Sequence, residues 1–331
     1  MGSSTQQRHT EAPDTAGRGR NTTSPWKMPF AGWKDVAVRT AKEASKDNVG
    51  LVAAGVSFYG FLALLPLMGA IVLSYGLLAD PQTVTRNMSA MMDIMPKDVA
   101  QLIGEQLLGV VQTSSEKKGL GVLVALALAI FSARNGAAAI VTALNIAYEE
   151  EESRGFIKVN LLALTITAAA VVMAVLALLA VAVMTQVEAL LPASPVLALG
   201  SRILSYIALA GLAAGAAALL YRFGPARDDA RWEWLSVGSV LFAVSWVALT
   251  LGFGAYVANF GNYSATYGSL AAVVILLTWL FLSSYLLVFG AELNSELEHQ
   301  TRRDTTTGPE RSMGNRGAWS ADHVAGAGEH G

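Results

Sequence analysis

Arg134 sits inside the otherwise uncharged run 120–147, with Asn135 beside it. An arginine at mid-membrane costs at least about 2.5 kcal/mol on insertion scales, so it needs a compensating group. Two roles fit: a site for an anionic group such as a lipid phosphate or a carboxylate, or a clamp on helix carbonyls. Glu292 follows directly on the last apolar run, 267–290, and Asn294, Glu296 and Glu298 come next. Ser57 and Tyr59 are polar positions of the first apolar run. Arg134, Asn135, Ser57, Tyr59, Glu292 and Asn294 are therefore the candidate substrate-binding residues. Counting helical rise puts Arg134 about 20 Å from the end of its helix, while Glu292 lies at the same face's boundary, so no direct pair is expected.

Other chemistry is limited by inventory. There is no cysteine, hence no disulfide, thiolate ligand or cysteine nucleophile. The four histidines, His9, His299, His323 and His330, all lie in polar flanks. That excludes a histidine metal site or a Ser-His-Asp triad within the apolar core. A nuclease needs clustered carboxylates for metal ions or an acid–base pair beside a basic groove. The short loops offer neither, so no catalytic residue, metal, cofactor or nucleic-acid partner is expected.

The elements that position these residues are membrane helices. The chain is 53% hydrophobic and 15% charged, with net charge −2 and mean hydropathy +0.45, well off the soluble norm. Runs at about 50–79, 120–147, 159–187, 203–221, 234–257 and 267–290 are each long enough to cross a bilayer. The fold class is all-α, a polytopic membrane protein of six transmembrane helices plus amphipathic interfacial helices. Pro66 is the expected kink of the first span. Before it, 29–48 predicts a helix along the membrane surface, with Phe30, Trp33, Val36 and Val38 on its apolar side and Lys34, Arg39, Lys42 and Lys46 toward headgroups. Residues 80–118 are too polar to span and predict two amphipathic helices broken at Pro96. The flanks 1–28 and 299–331 are polar, rich in small residues, and predict disorder.

Lesser features carry weaker expectations. Gly211 and Gly215, four apart, permit close helix contact. The acidic run Glu149–Glu152 is a solvated loop or a patch for a cation or partner. Tyr256, Asn259, Asn262, Tyr263 and Tyr267 form an uncharged polar belt, either interfacial anchoring or a cavity entrance. Lys and Arg flanking one set of ends number seventeen against five on the other, so both termini are expected in the cytoplasm.

Three stretches, AAGVSFYGFLALLPL (53–67), ALNIAYEEEESRGFIKVNLLALTIT (143–167) and YGSLAAVVILLTWLFLSSYLLVFGAELN (267–294), together with YRFGP (221–225), resemble the YihY/BrkB family of bacterial inner-membrane proteins over about 30–298. Tyr267, Gly268, Trp279, Gly290, Ala291, Glu292 and Asn294 carry most of the resemblance. It implies six membrane helices and a multi-pass place in the bacterial inner membrane. It also implies a historical ribonuclease BN label and links to serum resistance and envelope-lipid export, with no catalytic residues to carry over. The expected function is transport or flipping of a lipid or anionic amphiphile, with membrane lipids as partners. The alternative is a structural or regulatory envelope protein that binds a membrane partner.

Overall fold

The computed structural model describes residues 18–78, 120–190, 195–259 and 270–325. The expected helices of 80–118 and most of the polar belt at 259–267 lie outside the described residues. All regular structure described is helical: α1 (Phe30–Lys46), α2 (Val49–Leu78), α3 (Leu120–Ala147), α4 (Phe156–Leu190), α5 (Pro195–Phe223), α6 (Trp232–Asn259), α7 (Leu270–Gln300) and the short α8 (Trp319–Asp322). Five of these helices are long and apolar enough to cross a membrane, and α1 with the start of α2 makes a sixth as a pair bent by 63°.

The long helices follow from unbroken apolar runs. Their outward faces demand lipid: the apolar windows of α5 and α6 bury only 6% of their residues within the protein, and no water-facing surface tolerates that much exposed Leu, Ile and Val. Packing runs as a row. α3 is held between α2 and α4, α2 also meets α7, α7 meets α6, and α6 meets α5. Pro66 lies inside α2, which continues through it. The sharp bend falls earlier, at Asp47–Asn48, where Asn48 takes a left-handed φ of 52°, a conformation asparagine tolerates better than most residues.

Close approach between helices falls at glycines other than Gly211 and Gly215, which face open space. Gly238 of α6 meets the Gly290 carbonyl of α7, and a Cβ on Gly290 would lie 2.5 Å from Tyr221 Oη. Asn294 Oδ1 accepts the Gly238 N–H at 2.7 Å, its Nδ2 donates to the Leu235 carbonyl at 3.3 Å, and Tyr221 Oη donates to the Leu287 carbonyl at 2.8 Å. Trp246 Nε1 donates to Ser283 Oγ at 3.1 Å and its ring lies 5.9 Å from that of Trp279. Gly136 of α3 likewise backs onto Gly60 and Ala63 of α2.

At one end the helices run into a polar cap. α1 places Gly32, Val36, Thr40 and Ala44 on one buried stripe, the i,i+4 spacing of a helix face. Val36, Trp234 and Leu297 form an apolar cluster there, with Trp33 packed on it. Phe30 and Val38, placed by the sequence on the same side, are exposed.

The flanks depart from the expected disorder over their described parts. Segment 18–28 packs along α1 and the end of α7: Gln300 Nε2 donates to the Arg18 carbonyl at 2.7 Å, and the Arg302 N–H to the Arg20 carbonyl at 2.8 Å. Segment 301–325 is folded around buried Arg316, whose guanidinium donates to the carbonyls of Ala321 at 2.6 Å, Arg302 at 2.8 Å and Arg303 at 3.2 Å. Asp322 accepts the N–H groups of Gly314, Arg316 and Gly317. Polar composition implied too little apolar burial for order; charge-assisted bonds to backbone supply the difference.

Candidate functional site

Arg134 lies on the flank of α3 facing the start of α4. Its Nη1 donates to Asn160 Oδ1 at 2.7 Å, and its guanidinium stacks 4.9 Å from the Phe131 ring centre. Asn160 Nδ2 is itself fixed on the Phe156 carbonyl at 2.7 Å, which presets the amide oxygen toward Arg134. Asn160 is only the fifth residue of α4, about 6 Å along its axis. Arg134 therefore meets the first turns of α4, while it sits near the middle of the apolar stretch Leu123–Ala147 of its own helix. Among the described residues no carboxylate lies within ion-pair distance of it. Phe131 beside it is exposed, as are Leu128 of α3 and Phe156 and Ile157 of α4, and Asn135 and Lys158 are also exposed.

The other sequence candidates scatter. Ser57 is buried and donates to the Ala54 carbonyl at 2.8 Å. Tyr59 is exposed, its ring edge-on to Phe58 at 5.6 Å. Asn294 binds α6 to α7 as described. Glu292, two residues and about half a turn earlier, points elsewhere: it lines a cleft of about 410 Å³ in the cap together with Glu43, Lys46, Glu149, Ser295, Glu296 and His299. Glu292 is 2% exposed and its Oε1 has no hydrogen-bond partner among the described residues. Arg134 and Glu292 belong to different sites.

Two of the cap's acids are met by arginines. Arg227, whose side chain is 1% exposed, meets Glu298, 0% exposed, in a two-pronged pair of 2.7 and 3.1 Å. Arg227 also reaches Ser320 Oγ at 3.1 Å and lies 5.1 Å from the Tyr148 ring centre, and Thr305 donates to Glu298 at 2.6 Å. Burial works against the Arg227 charge, but Glu298 outweighs it and holds the guanidinium more firmly protonated than usual. Arg39 Nε pairs with Glu296 and its Nη2 donates to the Glu296 carbonyl at 3.2 Å. These two arginines offset acids at the C-terminal end of α7, where the helix dipole disfavours negative charge.

The chain matches the family described as "Virulence factor BrkB" over residues 40–314. It belongs to the BrkB family. The match extends past the last membrane helix into 301–314, the segment that the cap orders around Arg316. The chain is also 33% identical over 196 residues to a Bacillus subtilis (strain 168) protein named ribonuclease-like protein YfkH, covering 58% of this chain and 70% of that one. No solved structure matches. Membership makes the protein a multi-pass membrane protein. The residues that carry the family resemblance fall into two groups. Tyr221, Trp279, Gly290 and Asn294 hold the α5–α6–α7 seams, whereas Glu292 faces the cleft with an oxygen to spare.

The acidic run 149–152 likewise separates into different roles. Glu152 accepts from Arg154 at 2.7 and 2.8 Å and from Asn145 Nδ2 at 2.9 Å; the Arg154 bonds draw its carboxyl down to about 2. Glu150 accepts the Trp319 N–H at 2.7 Å, although burial pushes its carboxyl up. Glu151 is exposed. Glu149, with a left-handed φ of 54°, turns toward Lys46 at 3.3 Å. Sequence reading missed Asn160, Arg227 and Asp47. A lone Asn four residues into a helix carries no signal, and the pairing of Arg227 with Glu298 spans 71 positions.

Proposed function

We propose that the protein moves an anionic lipid or amphiphile across the inner membrane, with the cap and both chain ends in the cytoplasm and the Arg134–Asn160 seam receiving the head group. One observation carries this reading: a guanidinium with a neutral partner on an apolar, exposed flank. Such a charge is stabilised by a phosphate or carboxylate, which a neutral amide does not replace. Exposed Lys158, near Asn160 in sequence, adds positive charge at the same level, and exposed Phe131 and Leu128 suit acyl chain. The ribonuclease-like name of the relative is not carried over. The cap cleft is lined by Glu43, Glu149, Glu292, Glu296 and Asp322, a field that repels a polyanion.

The test is lipid movement in proteoliposomes, with fluorescent phosphatidylglycerol set against phosphatidylcholine. Wild type is expected to accelerate the anionic probe. Arg134→Ala should slow it about tenfold, the scale of one lost charge-assisted bond, and Arg134→Lys should retain part of the rate. Equal rates for wild type and Arg134→Ala remove Arg134 from the mechanism, and a rate no faster than protein-free vesicles removes the function. A structural role in binding an envelope partner is the second reading. It is favoured by the ordered cap, which commits a buried ion pair and a four-carbonyl arginine clamp to shape.

A further inference from the structure

Four carboxylates from three elements converge at one side of the cap cleft. Glu43 and Asp47 come from the α1–α2 corner, Glu149 from the end of α3 and Glu292 from α7. One oxygen from each of Glu43, Asp47 and Glu149 lies within 4.8 Å of the others. That is the span of two ligands on opposite sides of a calcium ion with bonds of about 2.4 Å. The Glu292 carboxyl faces Asp47, and Asp47 Oδ2 and Glu292 Oε1 are both buried with no hydrogen-bond donor among the described residues. A buried carboxylate in that condition costs several kcal/mol unless a positive group meets it.

The nearby positive groups do not meet this need. Lys46 Nζ sits 2.7 Å from Glu43 Oε2 and 3.3 Å from Glu149 Oε1, with its side chain 64% exposed. Arg39 is committed to Glu296, and His299 lies 3.7 Å from the same Glu296. His323 and Asp322 line the far wall, with Asp322 engaged by backbone N–H groups. Glu149 meanwhile holds a left-handed backbone that glycine or asparagine would occupy at lower cost, and this conformation brings its carboxylate into the group.

We propose that this corner is a binding site for one hard divalent cation of the magnesium, calcium or manganese class. Glu43, Asp47 and Glu149 supply the oxygens, Glu292 backs Asp47 from α7, and Lys46 stands in for part of the charge when the site is empty. An all-carboxylate set selects such ions over zinc or copper. The cation ties the α1–α2 bend to α3 and α7 in one contact. The proposal goes beyond lipid movement and does not depend on it.

The experiment is manganese titration of the full-length protein in detergent micelles at pH 8, after chelator treatment. Free manganese is read by its electron paramagnetic resonance signal, with magnesium and calcium as competitors. One manganese per chain is expected. Asp47→Asn and Glu149→Gln should each weaken binding by about tenfold or more. Lys46→Gln, at an exposed position that leaves the fold intact, should tighten it several-fold by removing the competing charge. Absence of saturable binding up to about 1 mM overturns the site, as does binding that none of the three variants moves. In the first case the facing Asp47 and Glu292 carboxyls share a proton instead.

Discussion

A single atom decides several positions in this chain. A methyl on Gly290 would fall 2.5 Å from Tyr221 Oη and 2.9 Å from the Gly238 carbonyl, whereas Gly211 and Gly215 have nothing within 4 Å. Gly290→Ala is therefore expected to cost about 1–3 kcal/mol through overpacking. Gly211→Ala and Gly215→Ala should be neutral or stabilising by up to about 1 kcal/mol, since alanine favours helix. Melting temperatures in detergent check the contrast; equal losses at all three would refute it. The same comparison shows where sequence reading stops. Gly211 and Gly215 display the spacing of a contact motif, but only the partner helix determines which glycines are covered. Arg134 was visible as an anomaly because its cost is local. Its partner Asn160 was not, since that contact depends on how α3 and α4 pack against each other.

At the scale of elements, six apolar runs were legible because a bilayer imposes a minimum length on anything that crosses it. Helix ends were less so. The 267–290 run extends as helix to Gln300, past three glutamates that ordinarily oppose a helix C-terminus, because Arg39 and Arg227 arrive from elsewhere to meet two of them. The Arg227–Glu298 pair also links α7, the turn before α6 and the 301–325 segment. Arg227→Ala is expected to destabilise the protein by about 3–5 kcal/mol by stranding a buried carboxylate. The double change Arg227→Met with Glu298→Leu should recover most of that loss. Thermal melts of the single and double variants test the coupling; a double variant as unstable as Arg227→Ala would place the cost in packing rather than in charge.

Across the whole molecule the order in residues 301–325 was the least legible feature. Its bonds run from Arg316, Asp304 and Asp322 to backbone groups close in sequence, a pattern without hydrophobic period, and polar composition conceals it. Its contact with segment 18–28 bears on how the chain is threaded. Gln300 and Arg302 bond directly to Arg18 and Arg20, so the two ends of the helical array touch. A path that leaves one face of a closed sheet and returns to it must cross an even number of times. Five crossings would set these partners on opposite faces of the bilayer. An even count is therefore expected, and among the described residues the bent α1–α2 pair is the candidate that joins the five single helices to reach it. The chain has no cysteine of its own, so a single cysteine reports without background. Thr23→Cys and Ser312→Cys, both at exposed positions, should react with an impermeant maleimide from the same side of sealed vesicles, and opposite labelling would break the count.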